Sequence, residues 1–211
     1  MTSSRVIPAV YRLVFAGMSL AALCAQLFLV HLPNGWDVVS FFSYFTILGN
    51  LIASIVFIIS AVRVLQGRVS STSDVAIRGG SVVYIVFVGI VFAGLLRDAD
   101  LGDLIPWVNI AHHYVMPIVV LLDWIIWPPQ RKLAWSVIPL WMIFPAVYVA
   151  YSLIRGAAIG FYPYPFFNPG VQNGYGGVAI YCAVMLVAFV LLAIGVRAIG
   201  NARARALPAS A

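Results

Sequence analysis

The sequence predicts an all-α, polytopic membrane protein of six transmembrane helices with both termini cytoplasmic, and three observations carry that reading. Of the 211 residues, 64% are hydrophobic and only 9% are charged, with a mean hydropathy of +1.05; a water-soluble domain of this size needs far more charge on its surface. Six apolar runs reach the roughly 20 residues that cross a hydrocarbon core. Third, the basic residues are segregated: Arg5, Arg12, Arg63, Arg68, Arg78, Arg131, Lys132, Arg197, Arg203 and Arg205 fall on the face shared by the termini, and only Arg97 and Arg155 fall on the other. That positive-inside bias puts both termini in the cytoplasm.

The runs are 8–31, 38–62, 79–96, 106–127, 133–154 and 174–196. Arg5 and Arg12 ahead of the first run resemble a signal peptide, yet the run is longer than a usual apolar signal core and no small-x-small site closes it, so it is read as a first span. A turn at 32–37, a Ser-rich loop at 66–78, an acidic stretch at 97–103, a Pro-Pro break at 128–132 and an aromatic, Pro-rich loop at 156–173 separate the spans. Asp37, Asp98, Asp100 and Asp103 lie on the outer side, Asp74 on the inner side and Asp123 within a helix. Trp36, Trp107, Trp124, Trp127 and Trp135 fall near helix ends, as an interfacial belt places them. One domain, residues 1–211, is expected. The net charge of +6 is scattered between apolar runs rather than gathered on a soluble module, which argues against nucleic acid as a partner.

Polar groups inside the spans point to function, because each needs a partner or a purpose where water is absent. In the second run Ser43, Thr46, Asn50 and Ser54 share one face of a continuous helix. In the fourth, Asn109, His112, His113 and Asp123 fall within about a third of the circumference. Counted from the outer side, Thr46 and His113 both lie roughly 10 to 12 Å deep at 1.5 Å per residue, so they can meet. Asp123 sits about 15 Å lower on a straight helix, where Arg63 or Arg131 is the expected partner.

A threonine hydroxyl becomes a nucleophile when a neighbouring base takes its proton, and a desolvated neutral imidazole is a suitable base. Asn50, one turn beyond Thr46, is placed to donate its amide to a developing oxyanion. The reaction class is ester hydrolysis, with no metal or cofactor. Against this stands the ordinary behaviour of such residues in spans: threonine bonds the carbonyl one turn back, and asparagine joins helices. Cys24 and Cys182 show no metal-ligand or disulfide spacing and read as small buried side chains, with a minor role as alternative nucleophiles.

Taken in order, Phe45-Thr46 with Asn50, His113-Tyr114 with Pro117 and Asp123-Trp124, and Tyr162-Pro163-Tyr164-Pro165-Phe166-Phe167 before the last span resemble the androgen-induced family of six-pass integral membrane proteins, particularly its bacterial branch. The resemblance covers nearly the whole chain. Eukaryotic members are threonine hydrolases of fatty acid esters of hydroxy fatty acids, so the resemblance implies Thr46 as nucleophile and a fourth-span histidine as base. The bacterial pattern puts that histidine four residues before the proline, which is His113, the preferred base; the eukaryotic pattern puts it five before, which makes His112 the alternative. It also implies a lipid substrate drawn from the bilayer, and a bacterial cytoplasmic membrane as location. Asn50 has no counterpart at that spacing in the eukaryotic members, so its oxyanion role, like the supporting roles of Ser43 and Asn109, rests on this chain alone.

The loop 161–168 is expected to cap the pocket, with Tyr162, Tyr164 and Phe166 lining an acyl-chain path, or else to anchor the protein at the interface. Two other classes compete with the esterase: a transporter or proton-linked channel built on the same histidines, which usually shows internal repeats that are not seen here, and a catalytically silent scaffold. The oligomeric state is open.

Overall fold

The computed structural model describes residues 3–99 and 102–204; Asp100 and Arg205, two of the charges counted above, lie outside them. The first helix, α1 (Ser3–Gln26), continues through a π turn at Leu27–His31. A one-turn helix, α2 (Val38–Phe41), precedes α3 (Phe45–Leu65). Next come α4 (Thr72–Val91, then a π turn at Phe92–Leu96) and α5, built of Pro106–Ile110, a π turn at Ala111–Val115 and Met116–Ile126. The chain closes with α6 (Val137–Ile159) and α7 (Tyr175–Ala204). All except α2 are long and apolar enough to span a bilayer, six in number among the described residues. Leu29, Ile154 and Ile180 stand 67–70% exposed. An apolar surface of that extent belongs against lipid rather than water, and the chain is an integral membrane protein.

Among the helix boundaries that differ from those the apolar runs predict, three have a local reason. α4 begins at Thr72 rather than 79 because Ser71 and Asp74 form a reciprocal capping box, which turns part of the expected loop into helix. α6 begins at Val137 rather than 133 because the backbone of Leu133 is held on both sides by the amide of Asn201, at 2.7 and 3.0 Å. The second run is not one helix. It breaks at residues 42–44, so Ser43 lies in the break and not on the face of α3 that carries Thr46, Asn50 and Ser54.

Of the spans, α3 and α4 are the most buried, and α7 is the least. Tryptophan side chains laid against glycines bring the helices close. Trp124 is fully buried on Gly200, its indole N–H donating to the Val196 carbonyl at 3.0 Å, and Trp141 lies on Gly79 and Gly80 and donates to the Ala76 carbonyl at 2.8 Å. A Cβ at Gly200, Gly79 or Gly80 would stand within 3.0 Å of those rings. Trp36, Trp107 and Trp135 are 44–62% exposed at helix ends, as a belt requires, whereas Trp124 belongs to the core and not to the belt.

Asp123 does not meet Arg63 or Arg131. It is fully buried between Arg12, whose Nε donates to Oδ1 at 2.8 Å, and Arg78, whose Nε and Nη2 donate to Oδ2 at 2.9 and 2.7 Å. Arg63 pairs with Asp74 instead, and Arg131 donates to the Ser70 carbonyl. Three spans, α1, α4 and α5, are thereby tied at one depth. Removing one member of a buried ionic group strands the others in a poor dielectric. Asp123→Ala should therefore destabilise the fold by about 3–5 kcal/mol, read as a lowered midpoint of unfolding in detergent.

Candidate active site

The break at 42–44 puts the N-terminus of α3 inside the bundle. A helix start leaves backbone N–H groups without intrahelical acceptors, and these must be satisfied where water is scarce. Tyr44, at the cap position, makes no side-chain cap bond. Two tyrosine hydroxyls from elsewhere take its place: the Phe45 N–H donates to Tyr148 Oη and the Thr46 N–H to Tyr164 Oη, both at 3.2 Å. The Tyr148 hydroxyl passes its own proton to the Ser43 carbonyl at 2.9 Å, and the Ser43 hydroxyl lies 2.7 Å from both Tyr151 Oη and the Val39 carbonyl. Ser43 thus secures the break and makes no contact with the Thr46 side chain. Neither Tyr148 nor Tyr151 figures in the sequence reading; the available signal was a pair of phenols three residues apart in the fifth span.

Thr46 Oγ1 lies 3.4 Å from His113 Nε2 and 3.3 Å from Tyr164 Oη, and all three side chains are buried. The hydroxyl makes no bond to the carbonyl one turn back, the usual fate of a threonine in a span; Asn50 and Ser54 do make such bonds, to the Thr46 and Asn50 carbonyls at 2.9 and 2.8 Å. Asn50 therefore turns its amide N–H to the helix backbone, while its Oδ1 is buried with no hydrogen-bond partner among the described residues.

On the far side of the imidazole, His113 Nδ1 lies 2.7 Å from Asn109 Oδ1 and 3.2 Å from the Asn109 carbonyl. Both are acceptors, so Nδ1 carries the proton and Nε2 presents its lone pair to Thr46. Phe92 stacks on the ring at 4.1 Å and 18° and fixes its plane. His112 and His113 sit in the π turn at Ala111–Val115, and as consecutive helical residues they point to different neighbours. His113 turns to α3, whereas His112 turns to α1 and bonds the Ser19 carbonyl at 3.2 Å. His112 is not within hydrogen-bonding reach of Thr46.

Donors and acceptors then run in one direction: Tyr164 O–H to Thr46 Oγ1, Thr46 O–H to His113 Nε2, His113 Nδ1–H to Asn109. Burial holds the Tyr164 phenol above its ordinary range, against the lowering effect of its Thr46 contacts, so it remains a protonated donor.

Beside Thr46 lies a cavity of about 370 Å³, lined almost entirely by apolar side chains. Phe87 and Val88 of α4, Pro145 and Val149 of α6 and Met185 and Leu186 of α7 form its walls. Tyr164, Phe166 and Phe167, from the loop between α6 and α7, close one side. Leu186 is 50% exposed, so the space reaches the lipid-facing surface beside α7. Of the loop residues expected in this pocket, Tyr164 and Phe166 line it. Tyr162 does not: its ring packs on Gly156, where no Cβ fits, and its hydroxyl meets that of Tyr175 at 3.3 Å. Cys182 borders the cavity and Cys24 is exposed. Among the described residues no group of three His, Cys, Asp or Glu side chains is placed to hold a metal ion.

Tyr148→Phe and Tyr164→Phe each remove one cap of a buried helix start. Each should cost about 1–2 kcal/mol, and hydrogen exchange should speed up at the Phe45 amide in the first variant and at the Thr46 amide in the second. No family model, curated protein or solved structure matches the chain.

Proposed function

We propose that the protein is an intramembrane lipid esterase in which Thr46 is the nucleophile and His113 the general base. The observation that carries this reading is the Thr46–His113–Asn109 series. A hydroxyl and an imidazole Nε2 lie 3.4 Å apart, the other ring nitrogen is anchored, and the hydroxyl borders an apolar cavity. Closed catalytic hydrogen bonds span about 2.6–3.2 Å, and resting pairs are commonly longer. The resemblance to androgen-induced six-pass proteins supports Thr46 with a fourth-span histidine, which is His113 by the bacterial pattern, and the substrate class of the eukaryotic members, fatty acid esters of hydroxy fatty acids.

In this mechanism an ester enters from the lipid between α6 and α7, with its acyl chain among the apolar walls. Thr46 Oγ1 attacks the ester carbonyl carbon as its proton passes to His113 Nε2. Negative charge develops on the former carbonyl oxygen, where two donors already beside Oγ1 stabilise it: the Tyr164 hydroxyl and the Thr46 N–H. The positive end of the α3 dipole acts in the same sense. Collapse of the tetrahedral centre breaks the bond to the alcohol oxygen, which takes the proton from His113. Water then attacks the acyl-threonine with His113 again as base, releasing the fatty acid and restoring Thr46. Tyr164 takes the oxyanion role first assigned to Asn50, whose amide is bonded to the helix backbone.

Thr46→Ala and His113→Ala should each lower ester cleavage by about 10³-fold or more and abolish covalent labelling by a fluorophosphonate probe, with expression intact. His112→Ala should retain labelling. Asn109→Ala should lower the rate by about 10- to 100-fold, since it orients the ring without touching substrate. Labelling that survives Thr46→Ala rules this nucleophile out.

A further inference from the structure

The end of the bundle that carries the termini holds a second cavity, of about 220 Å³, bordered by α3, α4 and the 128–130 segment. We propose that it is a binding site for a phosphate group, carried by a lipid headgroup or free in solution. This rests on no step of the hydrolase reading.

Charge is the first reason. Arg12, Arg63, Arg68 and Arg78 all line the cavity, and the carboxylates that answer them are Asp74 in its wall and Asp123 behind it, which leaves a formal excess of two positive charges. Arg12 and Arg78 are the more buried members, whereas Arg63 and Arg68 reach water, so the excess charge sits toward the mouth of the cavity, where it attracts an anion.

The disposition of the guanidinium nitrogens is the second. Arg78 is committed: it donates to both the carboxylate and the carbonyl of Asp123 and to the Trp127 carbonyl. Arg12 is not. Only 3% exposed, it donates through Nε to Asp123, and its two terminal nitrogens meet no acceptor among the described residues. A guanidinium anchored through one nitrogen, with its other donors unused on a cavity wall, can offer them to an acceptor in that cavity. Arg63 gives one nitrogen to Asp74, and the Arg68 side chain makes no hydrogen bond or ion pair among the described residues. Three arginines with donors to spare thus line one cavity, and the guanidinium fork matches phosphate oxygens.

Shape is the third. Ile59 of α3 and Ile77 of α4 line the same cavity and are 47% and 58% exposed, so it runs out between the two spans onto the lipid-facing surface. A phosphate on the arginines leaves room for an acyl chain along these isoleucines.

The test uses the purified full chain in neutral detergent. Calorimetry would follow the binding of dioctanoyl phosphatidic acid, of dioctanoylglycerol, which has the same chains without phosphate, and of inorganic phosphate. Saturable binding of phosphatidic acid is expected, with Arg68→Gln and Arg63→Gln each weakening it about tenfold, as loss of a charge-assisted bond does, while Arg203→Gln outside the cavity leaves it unchanged. Arg68 has no partner to lose, so its variant keeps the unfolding midpoint of the parent. Competition by inorganic phosphate at similar concentration would identify a soluble source, and binding confined to the lipid would identify a headgroup; both support the site. Equal affinity for dioctanoylglycerol would overturn it, as would an Arg68→Gln and Arg63→Gln double variant that folds and binds unchanged. Equal weakening by Arg203→Gln would reduce the effect to general charge and overturn it too.

Discussion

The arrangement around Thr46 depends on a helix start that is buried in the bundle. Two backbone N–H groups, of Phe45 and Thr46, are satisfied by phenols from α6 and from the loop after it. Without those acceptors the interruption at 42–44 would leave donors stranded in a medium that cannot solvate them. Because the acceptors come from distant parts of the chain, the start of α3 is capped only where α6 and the aromatic loop pack against it. The same geometry gives Thr46 a positive helix end, a phenol and an imidazole as neighbours, where a threonine in mid-helix would have only its own backbone carbonyl.

Irregular backbone recurs opposite the break. The π turn in α5 carries both adjacent histidines, and the π turn in α4 includes Phe92, which stacks on the His113 ring. Gly89 lets the two helices approach: a Cβ there would stand 2.9 Å from Pro117. Local departures from α geometry thus serve to aim particular side chains, and tight packing of small residues keeps them aimed.

The bundle divides its polar groups between two levels. At the level of Thr46 they are neutral and hydrogen-bonded in series beside an apolar cavity; at the end that holds the termini they are ionic, with Asp123 tying α1, α4 and α5 through two arginines. Neutral groups suit a site that must admit a lipid chain. Charged groups suit a place where guanidinium stems can reach toward headgroups and water.

Six spans and the all-α class are legible in the sequence, because hydrophobic run length is a property of the chain alone. Thr46 does meet a fourth-span histidine, although the depth count that predicted it ran along a helix from 38 that breaks at 42–44. The break at 42–44 is not legible. Phe42, Ser43 and Tyr44 include neither Pro nor Gly, and what ends the helix there is a set of acceptors supplied by Tyr148 and Tyr164, more than a hundred residues away. For the same reason the choice between His112 and His113, the partners of Asp123, the burial of Trp124 and the place of Tyr162 were decided by tertiary structure. Local sequence sets how long a helix can be and how apolar it is; which way a buried polar group points is set by whichever partner the packed chain brings within about 3 Å of it.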